Sequence, residues 1–439
     1  MEPLALKVAV LGCGVVGTEV VRRIHDGRAE LAERVGAPLE LVGIAVRHPE
    51  QDRGLDVDPD LWTDDALGLV ERDDVDIVVE LLGGLEPARS LVVTAMARGA
   101  SVVSANKALL AAHGPQLHAT AAHHGVDLLY EAAVAAAVPV LGPLRDSLCG
   151  DRIARITGVV NGTTNYILDQ MTRTGGDYAA ALSEAIDRGY AEADPSADVE
   201  GTDAAAKAVI LASLAFHTWP DPARVHQEGI TGVTAQDVAD ARACGRVVKL
   251  VALLEQTCES DGSRQVLARV QPTMVDRRHP LADVSGADNA VLVEAHAAGL
   301  LLFTGAGAGG LPTSGPVLGD LVTAARRRLQ GRFQSGPLAR RAPAGPIGTH
   351  TDRGLRSRHH LRIPIQDLTA AQAAVSVVLA RANIAITSIR TTVDARALLI
   401  LTADTEETTL RHTLGELAAL PSVSAMPRSL PLLDAHEDQ

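Results

Sequence analysis

Aromatic side chains are nearly missing from this chain: Phe, Trp and Tyr together make up 2% of its 439 residues. The cores must therefore be filled by Ala, Val and Leu, whose apolar runs look alike in helix and strand. Cysteine is scarce as well. Cys13, Cys149, Cys244 and Cys258 are widely spaced, with no C-x-x-C pair, which argues against a structural zinc site or a redox dithiol. Positive charge is in deficit, because 40 Lys and Arg against 54 Asp and Glu leave a formal net charge of −14. Such an acidic chain is a poor match for the phosphate backbone of nucleic acid. Also missing are an uninterrupted apolar run of the roughly 20 residues needed to cross a bilayer, and a basic-then-apolar leader in residues 1–10. The expectation is a cytoplasmic protein without membrane or nucleic-acid partners, long enough for two or three separately cored domains.

What is present begins near the N-terminus. A strand is expected over residues 7–11, followed at once by Gly12-Cys13-Gly14-Val15-Val16-Gly17 and a helix over residues 18–24. Further apolar runs at 39–46, 76–82 and 101–104 alternate with helical stretches such as 87–98, which predicts an α/β, doubly wound parallel sheet. After Tyr130 the pattern turns to mixed strands and helices as far as about residue 303. Residues 331–358 are rich in Gly, Pro, Arg and His without apolar periodicity and read as a linker. Beyond them, strands at 361–365, 384–392 and 397–403, helices at 370–382 and 406–420 and a last strand give the order βαββαβ.

The first two glycines of the turn permit a tight bend and close approach of the backbone to a pyrophosphate, and the third lets helix and strand pack closely. Gly12, Gly14, Val15, Val16 and Gly17 are thus candidates for a Rossmann-type dinucleotide site; a purely structural turn is the plainer alternative. At the end of the second strand the sequence reads Ala45-Val46-Arg47-His48, with no carboxylate for a ribose 2′-hydroxyl. Arg47 facing a 2′-phosphate would favour NADP over NAD, and a solvated arginine is the competing reading. Lys107, in Ser104-Ala105-Asn106-Lys107, follows a strand at the carboxyl edge where open α/β sheets bind ligands; otherwise it is an exposed lysine at a helix start.

Asp203 and Lys207 lie four apart on one helix face. A solvated pair would contribute only about 0.3–0.5 kcal/mol. The helix over residues 204–216 is apolar on nearly every side, however, so it should be buried. Burying an acid and a lysine costs several kcal/mol unless a polar cleft compensates, which points to a catalytic role.

The run Gly189-Tyr190-Ala191-Glu192-Ala193-Asp194-Pro195, continued through Asp198, Gly201, Asp203 and Lys207, resembles the homoserine dehydrogenase signature without a gap. Asn161-Gly162-Thr163-Thr164-Asn165-Tyr166-Ile167-Leu168, the Ala105-Asn106-Lys107 turn, His279-Pro280-Leu281 and Asn289-Ala290 extend the resemblance from Val8 to about Asp320. It implies a monofunctional NAD(P)-dependent enzyme that interconverts L-aspartate 4-semialdehyde and L-homoserine. By the resemblance, Lys207 exchanges a proton with the substrate oxygen and Lys107 positions cofactor and substrate. Glu192, Asp203 and Asp198 bind the substrate, while Gly189 and Gly307 join the cofactor site. The loop from Tyr130 to Pro139 looks like the family's sodium loop, with Glu131, Val134, Ala136 and Val138 as ligands through main-chain carbonyls; a buried strand end is the alternative. The implied architecture is a dinucleotide domain, 1–130, completed by about 304–330, a mixed α+β catalytic and dimerisation domain, 131–303, and an ACT-like domain, 359–439. A homodimer or homotetramer is implied by resemblance alone.

Two stretches depart from the family pattern. After Gly305-Ala306-Gly307-Ala308-Gly309 the chain reads Pro312-Thr313-Ser314-Gly315-Pro316 in place of the usual Pro-Thr and small-residue run. In the tail, Asp367-Leu368-Thr369-Ala370 lacks the glycine of the ACT ligand turn, so threonine control does not carry over. A different dehydrogenase on the same scaffold would lack the Glu192 to Lys207 constellation. A non-catalytic NADP-binding amino-acid sensor would have no need of both lysines.

Overall fold

The computed structural model describes residues 5–192, 194–258, 264–333 and 356–435. Its first sheet has six parallel strands: β1 (Leu6–Leu11), β2 (Leu39–Ala45), β3 (Trp62–Thr63), β4 (Ile77–Glu80), β5 (Ser101–Ser104) and β6 (Leu128–Leu129), in the order β3-β2-β1-β4-β5-β6. Every residue of β4 and β5 is buried, as expected of strands covered by helices on both faces. Four of these strands stand within a few residues of their predicted places; β3 and β6, two residues each, are too short to leave a pattern. The helix Val15–Asp26 follows the glycine turn. From far along the chain, the helix Gly310–Leu329 returns and buries Val317, Leu321, Ala324 and Ala325 in the same core as Val8, Val10 and Val20.

The second sheet is mixed. Strands β7 (Ile153–Val159), β9 (Arg246–Cys258), β10 (Arg264–Asp276), β11 (Asp288–Ala295) and β12 (Gly299–Ala306) run β12-β11-β7-β9-β10, and β8 (His226–Gln227) pairs with β10. The helix Thr202–Ala215 is buried at nearly every position, which accounts for its lack of a polar face.

The tail has β14 (His359–Pro364), a helix Leu368–Arg381, β15 (Ile386–Thr391), β16 (Ala397–Thr402), a helix Glu407–Ala418 and β18 (Arg428–Leu433), as the sequence order predicts. Two short strands, β13 (Arg356–Ser357) and β17 (Thr405–Glu406), pair with each other. The sequence suggests a tail set apart by a linker, most of which lies outside the described residues. The tail is instead part of the central sheet: β18 pairs in parallel with β10 through Met274↔Leu432 and Val275↔Leu433, and the order continues β10-β18-β14-β16-β15. The edge of β10 carries backbone groups that need partners, and β18 supplies them. Arg246 fastens the seam, donating to Leu433 O at 3.0 Å and pairing with Asp434.

Candidate active site

Three elements deliver the polar groups. β5 ends at Ser104, and Asn106 caps the helix Lys107–His124 by accepting from Leu109 N at 3.1 Å. The Asn106 amide also donates to Gly84 O at 2.7 Å and Glu80 Oε1 at 3.4 Å. Glu80, wholly buried at the end of β4, accepts from Ser104 Oγ at 2.6 Å and Leu82 N at 2.9 Å. Burial outweighs these hydrogen bonds and pushes its carboxyl above the usual range. A buried acid and an asparagine therefore fix the turn from which Lys107 projects.

Beyond the end of β7, Asn161 caps the helix Gly162–Thr174 by accepting from Thr164 N at 2.8 Å. Its amide nitrogen then reaches Asp198 Oδ1 at 2.6 Å and Asp203 Oδ2 at 2.9 Å. The third element starts at Gly201, whose φ of 85° needs a glycine, and carries Asp203 and Lys207 one turn apart. Lys207 Nζ lies 2.6 Å from Asp203 Oδ2 and donates to Val160 O at 2.7 Å. Lys107 Nζ sits 2.5 Å from Asp203 Oδ1. One buried carboxylate thus bridges two lysines, of which Lys107 has a 46% exposed side chain and Lys207 only 9%.

The electrostatics separate these lysines. Burial drives Lys207 below the ordinary lysine range despite Asp203, and the Lys107 charge pushes the same way. At Lys107 burial acts against the ammonium, but Asp203, Asp198 and Glu192 outweigh it and hold the pKa above normal. At Asp203, burial is overcome by Lys207 and Lys107, so the carboxyl stays ionised well below its usual range.

Other residues named from the sequence are less tightly assembled. Glu192 is exposed and touches this centre only through its field at Lys107. Gly189, at φ 74°, ends the helical stretch before the signature loop and is not among the residues lining the dinucleotide cleft. Asn161, Glu80 and Asn106 were not singled out as site residues. Asn161 and Asn106 stand in stretches that carry the family resemblance, but nothing local marks their amides as the groups that hold Asp203 and Glu80.

The cleft beside the glycine turn has a volume of 660 Å³ and is lined by Gly12, Gly14, Val15, Arg47, His48 and Arg53 among others. A Cβ on Gly12 would lie 2.7 Å from Leu81 O, and one on Gly17 2.3 Å from Gly12 O, whereas one on Gly14 would meet nothing within 4 Å. Gly14 therefore faces open space, as close approach by a ligand requires. Val16 points instead toward the core of the parallel sheet. Arg53, unremarked in the sequence, donates to Cys13 O at 3.3 Å and stacks 5.1 Å over Trp62, beside Arg47. Gly310, in the late glycine segment, lies so near the turn that a Cβ would be 2.7 Å from Val15 O. Gly307 is pinned against Ala287 O and Asn289, and the altered proline-containing stretch after it continues as an unbroken helix.

Glu131, Val134, Ala136 and Val138 lie in a buried loop where Ala135 and Ala136 have φ of 57° and 47°. The Glu131 carboxylate accepts from Leu141 N at 2.8 Å and Gly142 N at 2.5 Å, and its main-chain carbonyl accepts from Val134 N at 3.4 Å. Among the described residues no cluster of three or more His, Cys, Asp or Glu could hold a metal, and no helix is long and apolar enough to cross a membrane.

A dinucleotide turn on a parallel sheet, together with a lysine at the carboxyl edge of that sheet that meets the buried Asp203–Lys207 pair of the helix Thr202–Ala215, marks a nicotinamide-dependent oxidoreductase. The comparisons with known proteins narrow this. The family model "homoserine dehydrogenase, NAD binding domain" matches residues 12–131, and the homoserine dehydrogenase model matches 139–322. A curated homoserine dehydrogenase of Corynebacterium glutamicum is 46% identical over 96% of this chain and 94% of its own length. One from Mycobacterium tuberculosis is 50% identical over 87% of this chain and 86% of its own. A solved homoserine dehydrogenase from Thiobacillus denitrificans superposes with a TM-score of 0.88 at 33% identity, covering 99% of each chain. A hyperthermophilic archaeal homoserine dehydrogenase solved in complex with NADPH gives 0.62 at 27% identity, covering 73% of this chain and 98% of that one.

The chain belongs to the homoserine dehydrogenase family. Its activity is the NAD(P)-dependent interconversion of L-aspartate 4-semialdehyde and L-homoserine, a step of threonine, methionine and isoleucine biosynthesis.

Proposed function

We propose that Lys207 is the group that gives and takes the proton at the substrate oxygen. The observation that carries this is the single buried carboxylate, Asp203, shared by Lys207 and Lys107. When bound, the nicotinamide supplies hydride to the aldehyde carbon or accepts it from the alcohol carbon. As charge grows on the substrate oxygen, Lys207 Nζ delivers a proton, and its depressed pKa makes it a readier acid than a solvated lysine. Lys107, held charged, positions substrate and cofactor and stabilises the developing alkoxide. In the oxidative direction a neutral Lys207 takes the proton back. Both Asp203 oxygens are engaged by lysines, so Glu192 and Asp198 are the freer acids for the substrate amino group, with Asp203 completing the set.

Arg47, joined by Arg53 and with no carboxylate at the end of β2, supports NADP as the preferred cofactor, NAD being the alternative. Gly189 and Gly307 would close this site from the catalytic side. The buried loop with two left-handed alanines suits a sodium ion held by the carbonyls of Glu131, Val134, Ala136 and Val138. The assigned domains are 1–130 with 304–330, 131–303 and 359–439, joined to the last by 331–358. The tail's strand order, β18-β14-β16-β15, is that of a split βαββαβ unit and supports an ACT-like domain serving assembly, in a cytoplasmic homodimer or homotetramer.

The test is to mix purified protein with L-homoserine and follow absorbance of the reduced nicotinamide, with NADP and NAD in parallel. A higher kcat/KM with NADP is expected, and a preference that shrinks in Arg47→Ala. Preference for NAD in both proteins would remove the arginines from cofactor selection.

A further inference from the structure

A cavity of 720 Å³ lies between the tail and the helix Ala235–Ala243. Strand alternation explains its floor. Along β14, Leu361 and Ile363 enter the tail core while His360 and Arg362 take the other face; along β16, Leu398 and Ile400 go inward and Leu399 and Leu401 outward. On β15, Ser388 and Arg390 stand opposite Leu401 and Leu399. The roof is one helical stripe: Gln236, Ala239, Asp240, Ala243 and, one residue past the helix end, Cys244. Arg362 donates to Asp240 at 3.0 and 2.7 Å and Gln236 Nε2 donates to it at 2.8 Å, which fastens one side. Ala239 and Ala243 are too small to fill the other.

These contacts use up Asp240, and Asp394 accepts from Thr392 Oγ1 at 2.6 Å and Arg396 N at 3.1 Å. Two donors are left over. Among the described residues Arg390, an exposed side chain at the cavity's rim, has no ion-pair partner, whereas His360 is 2% exposed with no partner for its buried Nε2. A buried polar atom left unpaired costs about 1–3 kcal/mol, so such atoms are rare without a ligand or water to serve them. Burial also pushes His360 below the ordinary imidazole range, so a neutral ring offers its nitrogen without adding a second charge.

We propose that this cavity binds a small monocarboxylate, its carboxylate on Arg390 and His360 and its short aliphatic body on Leu399, Leu401, Ala239 and Ala243. One guanidinium and one neutral imidazole match a single negative charge; a phosphate dianion would want more donors and would face Asp240 and Asp394. Ligand pockets run roughly 300–1,000 Å³, a range that includes this one. The site is on the opposite sheet face from the helix that the Asp367-Leu368-Thr369-Ala370 turn leads into. Its occupant would tie β15 to the helix that feeds β9, and so tie the tail to the catalytic sheet. None of this depends on which residue transfers the proton.

The probe is butyrate, with inorganic phosphate and chloride at equal ionic strength as comparators, and the readout is the melting temperature of the full chain. Butyrate should raise Tm by a few degrees in the native protein, and by much less in Arg390→Gln or in Ala243→Leu, which fills the cavity without removing either donor. Normal dehydrogenase activity of each variant shows that it is folded; if Arg390→Gln is not, Ala243→Leu decides. No butyrate effect, an equal effect in a folded variant, or a larger effect of phosphate would overturn the proposal.

Discussion

Lys207 and Lys249 are both buried lysines, and the difference between them shows what marks a reactive group. Each gives a hydrogen bond to a main-chain carbonyl, Val160 O at 2.7 Å and Val284 O at 2.5 Å. Burial lowers both, Lys249 to about 8. Lys249, however, is completed by a neutral partner, Asn165 Oδ1 at 2.8 Å, whose amide nitrogen ties down the carbonyls of Val284, Gly286 and Asp288. Lys207 shares its carboxylate with a second lysine that reaches in from another sheet. Burial and a depressed pKa are common to both, and Asp169 and Asp283 act on Lys249 only through their fields; of the two, Lys207 is the one paired directly with a carboxylate that a second lysine shares.

Substitution should separate them. Lys207→Met is expected to lower kcat by at least about 10²–10⁴-fold while NADPH binding, read by fluorescence, persists. Lys249→Met should instead cost about 1–3 kcal/mol in urea unfolding, by leaving the buried Asn165 Oδ1 unpaired, with kcat per folded molecule close to normal. If Lys249→Met lost turnover as Lys207→Met does, the distinction between the two lysines would collapse.

A smaller effect should follow from loosening the turn that carries Lys107. Asn106→Ala removes a helix cap and the link to Glu80 and Gly84, so stability should fall by about 1 kcal/mol and KM should rise more than kcat falls. An unchanged KM would separate the turn from substrate binding. Replacing sodium by choline should reduce activity several-fold if the loop around Ala135 and Ala136 holds an ion; identical rates would argue that it holds none. Least of all should change on adding threonine, because Ala370 stands where the ligand turn wants glycine. Strong inhibition at low millimolar threonine would refute that reading.

Much of this was legible because it is written locally. The glycine turn, the i, i+4 spacing of Asp203 and Lys207, and the apolar run around them each need only neighbouring residues. What could not be read depends on meetings across the fold. Glu80 is one acid among many until β4 and β5 bring it under Ser104 and Asn106. Arg53 looks like a loop arginine until Trp62 lies beneath it. The joining of β18 to β10 leaves no trace in either strand, since a sheet edge is satisfied by backbone atoms that every residue has. Poor aromatic content adds to this, as β3 and β6 offer only Trp62, Thr63, Leu128 and Leu129 to recognise.

The central claim, that Lys207 exchanges the proton, is tested most directly by measuring kcat/KM against pH in both directions. Oxidation of L-homoserine needs neutral Lys207 and should rise with pH through a midpoint below the ordinary lysine value of about 10.4. Reduction of the aldehyde needs the charged form and should fall through the same midpoint. Both limbs should vanish from the residual activity of Lys207→Met; limbs that persist unchanged in that variant would assign the proton to another group.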